Sequence, residues 1–460
     1  MRQRGERLGP LAGVPITIKD SFDVVDTPST LGIGRRRDRL AAHEGPIVER
    51  LRRAGAVIVG KTNVPQIMLM YETDNRAFGR TLHPENAERG PGGSSGGEAA
   101  AVAARLSAAG LGSDLLGSLR QPAHACGIHT FKPSIYRATA LGSINTLGGM
   151  EAIVGQPGPL ARHMVDVETL TRVMLEEPFD DPYTTFIPWR DSSTVEVSKL
   201  RVGVWDDDPM FRPSPAVRRA VQEAAEGLRA AGAEVVPFSP PDSEEAFRLC
   251  LSLLAAAGGD NIRHWLDGER PTSSVARMLR IWGMPSQLRS ALCHTFDALG
   301  QPWRAKIVRW SRRCSTSDYW KLVLDRKNYV RRALAAWRAS KVDAVLTPPH
   351  GLPALRHATA SDTITAAVYQ FVPSLLGVPC GAVAATRVRP GEESDRPSNK
   401  EHVGKIARLV EHGSAGLPVG VQVMGLPNRD DVVLATMQEL ERHFAAKPDY
   451  PPATLRVLGE

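Results

Sequence analysis

Three segments carry residue types that could do chemistry together. The run "GPLAGVPITIKDSFD" ends an apolar stretch on Lys19. "GPGGSSGGEAAAVAARLSAAGLGSD" sets Ser94 and Ser95 in a glycine cluster just ahead of a helical pattern. "GSDLLGSLRQPAHACGIHTFKP" places Ser118 directly after Gly117. Burying an ammonium is costly, so a lysine closing an apolar strand is unusual. Desolvation would lower its pKa and leave a neutral amine available as a base. Glycines beside serines let backbone N–H groups come close to a substrate oxygen. A serine that opens a helix also gains from the positive end of the helix dipole. These features suit acyl transfer through a serine nucleophile, although a Gly/Ser-rich turn taken alone is ordinarily only a turn.

The elements that must position these residues alternate short apolar runs with amphipathic helices. Val14–Ile18, the "AVIVG" from Ala56, Leu200–Val204, Glu234–Val236, Val345–Leu346, Gly381–Val388 and Gly420–Met424 read as strands. Ile47–Arg53, Glu98–Ala109, Ala216–Ala230 and Asp431–Phe444 read as helices. Strands separated by helices predict an α/β fold with a mixed β-sheet core surrounded by α-helices. Length alone suggests about three domains. No composition break divides the chain and no repeat appears, so one large domain over residues 1–460 is expected. Asp180–Ser198 and Arg387–Lys405 read as loops.

Composition excludes several classes. The 460 residues are 42% hydrophobic and 23% charged, which rules out a disordered chain, a collagen or a disulfide-stapled miniprotein. A net charge of +7 is mild at this length and reads as scattered solvation. Five cysteines, odd in number and without CxxC spacing, fit reduced thiols in a cytoplasmic compartment. The start, "MRQRGERLGPLAG", holds no apolar stretch of the kind a secretory signal needs. Thr363–Ala385 is uncharged and long enough to cross a bilayer, but Pro373, Gly377, Pro379 and Gly381 break it into a short helix, a loop and a buried strand.

Two further signals are set aside. Gly55 to Thr62 fits the phosphate-binding pattern GxxxxGK[ST] letter for letter. Its intervening residues are strand formers whose N–H groups belong in a sheet. His124, Cys126 and His129 lie close in sequence, but their spacing fits no common zinc pattern, so no metal and no cofactor are expected. HExxH is absent.

Taken jointly, the three segments resemble the amidase signature family of Ser–cis-Ser–Lys hydrolases. Within it the chain is most similar to the fatty acid amide hydrolase-like branch. "STLG" at Ser29, "TNVPQIM" at Thr62, "FGRT" at Phe78, "GGSSGGE" at Gly92 and "GLPVGVQVM" at Gly416 carry that likeness. So do the spacings of 75 residues from Lys19 to Ser94 and 24 from Ser94 to Ser118. The resemblance implies hydrolysis of a carboxylic amide, with a fatty acyl amide as the candidate substrate, through an acyl-enzyme. It implies Ser118 as nucleophile, Ser94 as the bridging serine held after a cis peptide bond, and Lys19 as base. Backbone N–H groups of Leu115, Leu116, Gly117 and Ser118 would form the oxyanion hole, and Met68 would touch substrate. Asp114 and Arg120 match motif positions and read either as scaffolding or as a surface ion pair.

The chain departs from the family pattern at particular residues. The nucleophile loop reads "GSDLLGS", with Leu116 where the family has glycine. If that position needs a left-handed backbone, leucine costs about 1–2 kcal/mol and shifts the donors. Gln121 and Thr130 replace an apolar residue and a glycine. The helical residues that the family places before "GPLAGVP" are not in this sequence. The alternatives are a catalytically impaired lipid- or partner-binding protein and a glutamine-dependent amidotransferase of the A type. Ala276–Arg313, with eight basic residues and one acidic residue, carries Leu288, Leu292, Phe296 and Leu299 at helical spacing, and likewise Trp303, Ile307 and Trp310. It reads either as helices packed on the core or as a peripheral membrane contact. The implied partner is a small-molecule amide substrate. No nucleic acid is implied, and a homodimer is left open.

Overall fold

A computed structural model describes residues 8–398 and 400–453. The first seven residues of the basic start therefore lie outside the described residues. Twelve strands are described: β1 Pro15–Lys19, β2 Val57–Thr62, β3 Asp74–Asn75, β4 Gly79–Arg80, β5 Ala109–Asp114, β6 His129–Lys132, β7 Gln156–Ala161, β8 Arg201–Val204, β9 Glu234–Pro237, β10 Ala344–Thr347, β11 Cys380–Arg387 and β12 Pro418–Gly425. Ten of them form one mixed sheet in the order β2-β1-β5-β7-β6-β11-β12-β10-β8-β9, and β3 and β4 make a separate hairpin. Pairing is parallel at β2-β1-β5 and β10-β8-β9, and antiparallel between. This is the expected α/β fold in a single large domain.

Each face of the sheet is covered by helices. Pro46–Arg53, Met164–Leu175, Pro215–Ala230 and Asp430–Ala445 bury the larger cluster, with Val217, Val221, Val433 and Phe444 fully enclosed. Ser243–Ala255, Thr316–Ala339, Val368–Leu376 and His402–Glu411 close a second cluster, in which Phe247 stacks on Phe371 at 4.8 Å between ring centroids. Val368–Leu376 ends at Gly377 in the left-handed region, and the chain then enters β11. The uncharged stretch Thr363–Ala385 is thus a short helix, a loop and a strand. No helix among the described residues is long and apolar enough to cross a membrane.

One expectation needs correction. The helix expected over Glu98–Ala109 runs only over Gly96–Ala103. Arg105 turns left-handed, and Ala109–Asp114 becomes a strand between β1 and β7. Alanine favours helix locally, but the sheet centre claims this segment, as tertiary context often does. β6 and β7 were also hidden in sequence. The run Gln156–Ala161 holds Pro157 and Pro159, which ordinarily argue against an inner strand. Two residues apart, they leave their missing N–H groups on one side of β7, and the Thr130 hydroxyl donates to the Pro159 carbonyl at 2.7 Å. The phosphate-loop look-alike is β2, in register with β1 from Val57 to Thr62, so its backbone is committed to a sheet.

Candidate active site

Strand β1 delivers Lys19 at its C-terminal end, 1% exposed. Its Nζ lies 2.8 Å from Ser94 Oγ, 3.1 Å from Ser113 Oγ and 3.4 Å from the Ser113 carbonyl oxygen. Burial pulls the Lys19 pKa from 10.5 down to about 7, against the raising effects of Asp114, Glu98 and Asp20. Ser94 sits in the glycine turn before the Gly96–Ala103 helix, and the Gly93–Ser94 peptide is cis. The Gly93 N–H donates to Gln121 Oε1 at 3.1 Å, which gives the unusual Gln121 a place in holding this turn.

Ser118 lies in the short loop between β5 and the Arg120–Cys126 helix. The loop is built around the Asp114 carboxylate. It accepts from the N–H groups of Gly117 (2.6 Å) and Leu119 (3.1 Å), and from Arg120 Nε (2.9 Å) and Nη2 (3.0 Å). Both members of this ion pair are fully buried, so it is not a surface pair. Burial by itself would raise the Asp114 pKa, but Arg120 and the N–H donors outweigh it and hold it at about 2. Arg120 also donates to Gln422 Oε1 at 2.7 Å and Ser374 Oγ at 2.8 Å, tying the loop to β12 and to the Val368–Leu376 helix. The Ser95 N–H donates to the Ser118 carbonyl at 3.1 Å, which fixes the two serine segments against each other.

The backbone of this loop answers the question raised by Leu116. Gly117 is left-handed, with φ of 111°, whereas Leu116 is not among the residues of positive φ. A leucine is therefore accommodated without backbone strain. Its side chain is buried, and Tyr71 Oη donates to its carbonyl. Of the four N–H groups expected to serve an oxyanion, that of Gly117 is turned onto Asp114. Those of Leu115, Leu116 and Ser118 have no protein acceptor among the described residues.

Two cavities meet at Ser118. One, of about 330 Å³, is lined by Lys19, Ser94, Ser113, Asn145 and Thr146, and holds the polar end of the site. The other, of about 650 Å³, is walled mainly by apolar side chains, among them Leu116, Leu254, Ile281, Trp282 and Phe371. Met68 lines both. Ile67 and Met68 are left-handed at φ of 60° and 62°, and Gln66 pins this turn by accepting from the Thr272 N–H at 2.8 Å. The site residues that sequence reasoning missed are Ser113, Tyr71 and Gln66. Ser113 was in plain view beside Asp114. Gln66 lies in the string "TNVPQIM" but its role was hidden, as was that of Tyr71, because their partners are distant in the chain.

The basic stretch forms three helices, Ser273–Trp282, Ser286–Ala298 and Pro302–Trp310, and these wall the larger cavity. Leu292, Phe296 and Ile307 line it, whereas Leu288 (58%) and Leu299 (65%) are exposed. Four of the cations form ion pairs: Arg277 with Asp362, Lys306 with Glu244, Arg309 with Asp297 and Arg313 with Asp260. Arg289 is buried against backbone carbonyls, including that of Ser311 at 2.8 Å. The histidines set aside earlier are structural. His124 spans the Leu352 carbonyl and the Gly420 N–H, and His129 contacts Tyr450 Oη and the Ala384 N–H.

A mixed sheet of this order, with a lysine–serine pair set beside a serine at the junction of two cavities, is the architecture of an amide-cleaving hydrolase. The chain belongs to the amidase family, whose model matches residues 1–434. It is 33% identical over 444 residues to fatty-acid amide hydrolase 1 of Sus scrofa, covering 95% of this chain and 76% of that protein. It is 30% identical over 439 residues to fatty acid amide hydrolase 1 of Caenorhabditis elegans, covering 94% and 76%. A glutamyl-tRNA(Gln) amidotransferase component of Deinococcus radiodurans is 31% identical over 459 residues, covering 98% and 87%, so the amidotransferases are a related branch. Among solved structures, a fatty acid amide hydrolase matches the fold with a TM-score of 0.83 at 24% identity, covering 97% of this chain and 75% of that one. The chain is an amidase-class hydrolase of the fatty-acid-amide-hydrolase-like kind.

Proposed function

We propose that this amidase hydrolyses a fatty acyl amide, with Ser118 as nucleophile, Ser94 as proton bridge and Lys19 as base. The observation that carries the reading is the 2.8 Å approach of Lys19 Nζ to Ser94 Oγ in the cavity that Ser118 also lines. An amine brought to a pKa of about 7 is half neutral at neutral pH, so it can accept a proton. Lys19 takes the Ser94 hydroxyl proton as Ser94 takes that of Ser118. Ser118 Oγ then bonds to the amide carbonyl carbon. The N–H groups of Leu115, Leu116 and Ser118 receive the developing oxyanion. In reverse, the relay protonates the leaving nitrogen, the C–N bond breaks, and the acyl group stays on Ser118. Water then hydrolyses the ester through the same relay.

The large cavity supports a long acyl chain, since its volume is in the range of ligand sites and most of its lining is apolar, with Arg277, Arg280, Arg304, Asp362 and His402 as its charged or titratable members. Leu116 carries no left-handed backbone that would argue for a silent site. The test is labelling of purified protein by a fluorophosphonate serine probe, beside Ser118→Ala, Ser94→Ala and Lys19→Ala. Labelling should vanish in Ser118→Ala and fall at least a hundredfold in the others. Folded wild-type protein that does not label would overturn the proposal. A long-chain acyl amide should then be cleaved faster than a short one. The exposed Leu288 and Leu299 support a peripheral membrane contact with an apolar component, since four of the eight cations nearby are ion-paired and a fifth, Arg289, is buried. Vesicle sedimentation should show binding that Leu288→Asp with Leu299→Asp removes, and unchanged binding by that variant would refute the contact.

A further inference from the structure

The proton relay leaves one buried acid unused. Glu98 stands in the first turn of the helix that follows the two serines, and its side chain is fully enclosed. Each carboxyl oxygen is held by a hydroxyl: Thr17 Oγ1 donates to Oε2 at 2.7 Å and Thr62 Oγ1 to Oε1 at 2.5 Å. Both threonines are tied to Lys19. Thr17 lies two residues before it on β1 and so shares its face, and Thr62 is its register partner on β2. The space for the carboxyl is reserved by Gly110 of β5, where a Cβ would meet Oε2 at 1.9 Å. A buried carboxyl held by hydroxyls and not by a guanidinium or ammonium is a costly thing for a fold to keep.

We propose that Glu98 is a positioning residue for Lys19: through Thr17 and Thr62 it clamps β1 to β2 behind the amine, and its negative charge stabilises the ammonium formed when Ser94 gives up its proton. The inference rests on the reading of Lys19 as the base. The other charged groups near Lys19 are already engaged. Asp114 on β5 is spent on Arg120 and two N–H groups. Asp20 accepts from the Thr30 hydroxyl and the Leu31 N–H. Lys61 of β2 donates to the Pro28 carbonyl and to Ser29 Oγ. All three carboxyls act on Lys19, Asp114 most strongly, but Glu98 is the one held by the hydroxyls of Thr17 and Thr62, which flank Lys19 along and across the strands. Burial pushes its pKa up to about 7, the value to which burial pulls Lys19 down. With Glu98 ionised, a proton arriving on Lys19 turns a lone buried negative charge into an ion pair, so the carboxylate favours that transfer.

Glu98→Gln keeps the shape and can still bond both hydroxyls, but removes the charge. Competitive acetylation of Lys19, read by mass spectrometry across pH, should show its titration moving down by about one pH unit. The acidic limb of fluorophosphonate labelling at Ser118 should move down with it, and the plateau rate should fall about tenfold as the ammonium loses its partner. Thr62→Val, which weakens the carboxylate without removing it, should move both in the same direction by less, and decides the matter if Glu98→Gln does not fold. Folded variants with an unmoved Lys19 titration would reduce Glu98 to a packing role and overturn the proposal. Because the acetylation readout needs no turnover, a Lys19 titration that shifts in protein that never labels would sink the hydrolase reading while leaving the Glu98–Lys19 pair standing.

Discussion

Replacing Lys19 by methionine should abolish turnover and yet make the protein more stable at neutral pH. Lys19 is 1% exposed, and burial takes its pKa from 10.5 to about 7. At 1.36 kcal/mol per pH unit, that gap means the folded state bears a cost of about 5 kcal/mol for enclosing this amine. Methionine has a similar unbranched shape and no charge to desolvate. It forfeits the contacts of Nζ with Ser94 and Ser113, worth about 1 kcal/mol each. The net gain expected at pH 7 is therefore about 3 kcal/mol. The sign with pH follows from linkage. Between about 7 and 10.5 the unfolded chain binds the proton and the folded one does not, so wild-type stability rises with pH through this window. The cost is present in full below about 7 and is lost towards 10.5, so the advantage of Lys19→Met shrinks as pH rises. Urea unfolding of both proteins at about pH 8 and about pH 10 reads this directly, with Glu98 ionised in the wild type at both. A variant that is less stable than wild type, by an amount that does not change with pH, would refute the account of Lys19 as a desolvated amine.

Asp114→Asn should destabilise the fold by about 3–5 kcal/mol, because it leaves the buried Arg120 guanidinium without its counter-charge, and urea unfolding measures it. Gly117→Ala should lower serine-probe labelling at least tenfold, since φ of 111° disfavours a side chain and a Cβ there would meet Gln370 Oε1 at 2.3 Å. Leu116→Gly, which restores the residue usual in the family, should give no faster labelling and a stability loss of about 2–4 kcal/mol, because leucine is buried there on an unstrained backbone.

Much of the fold and the site was legible in sequence because it is encoded locally. The outer strands β1, β2, β8 and β9 announce themselves as short apolar runs between helices, Lys19 stands out as a lysine ending one of them, and Ser94 and Ser118 stand out beside glycines. β5, β6 and β7 were not legible. Their sequences are Gly-, Pro- and polar-rich, and they are strands because the sheet needs them between β1 and β11. The same limit applies to Leu116. Its substitution for glycine is visible in sequence, but whether it matters depends on which residue takes the left-handed turn, and that falls to Gly117.

Residue types and their order set the chemistry on offer: an amine at the end of an apolar strand, serines in glycine turns, and an acid and an arginine flanking the nucleophile loop. How those groups behave came from the packed fold alone. Packing shut Lys19 away from water next to Ser94, closed Asp114 and Arg120 into a buried pair, and brought Glu98 to the two threonines beside the amine. Protonation, donor direction and cavity shape depend on which distant segments exclude water from a group and which accept its hydrogen bonds. Many of those contacts join distant residues, 75 positions apart from Lys19 to Ser94 and 302 from Arg120 to Gln422, and a reading along the chain cannot see across such distances.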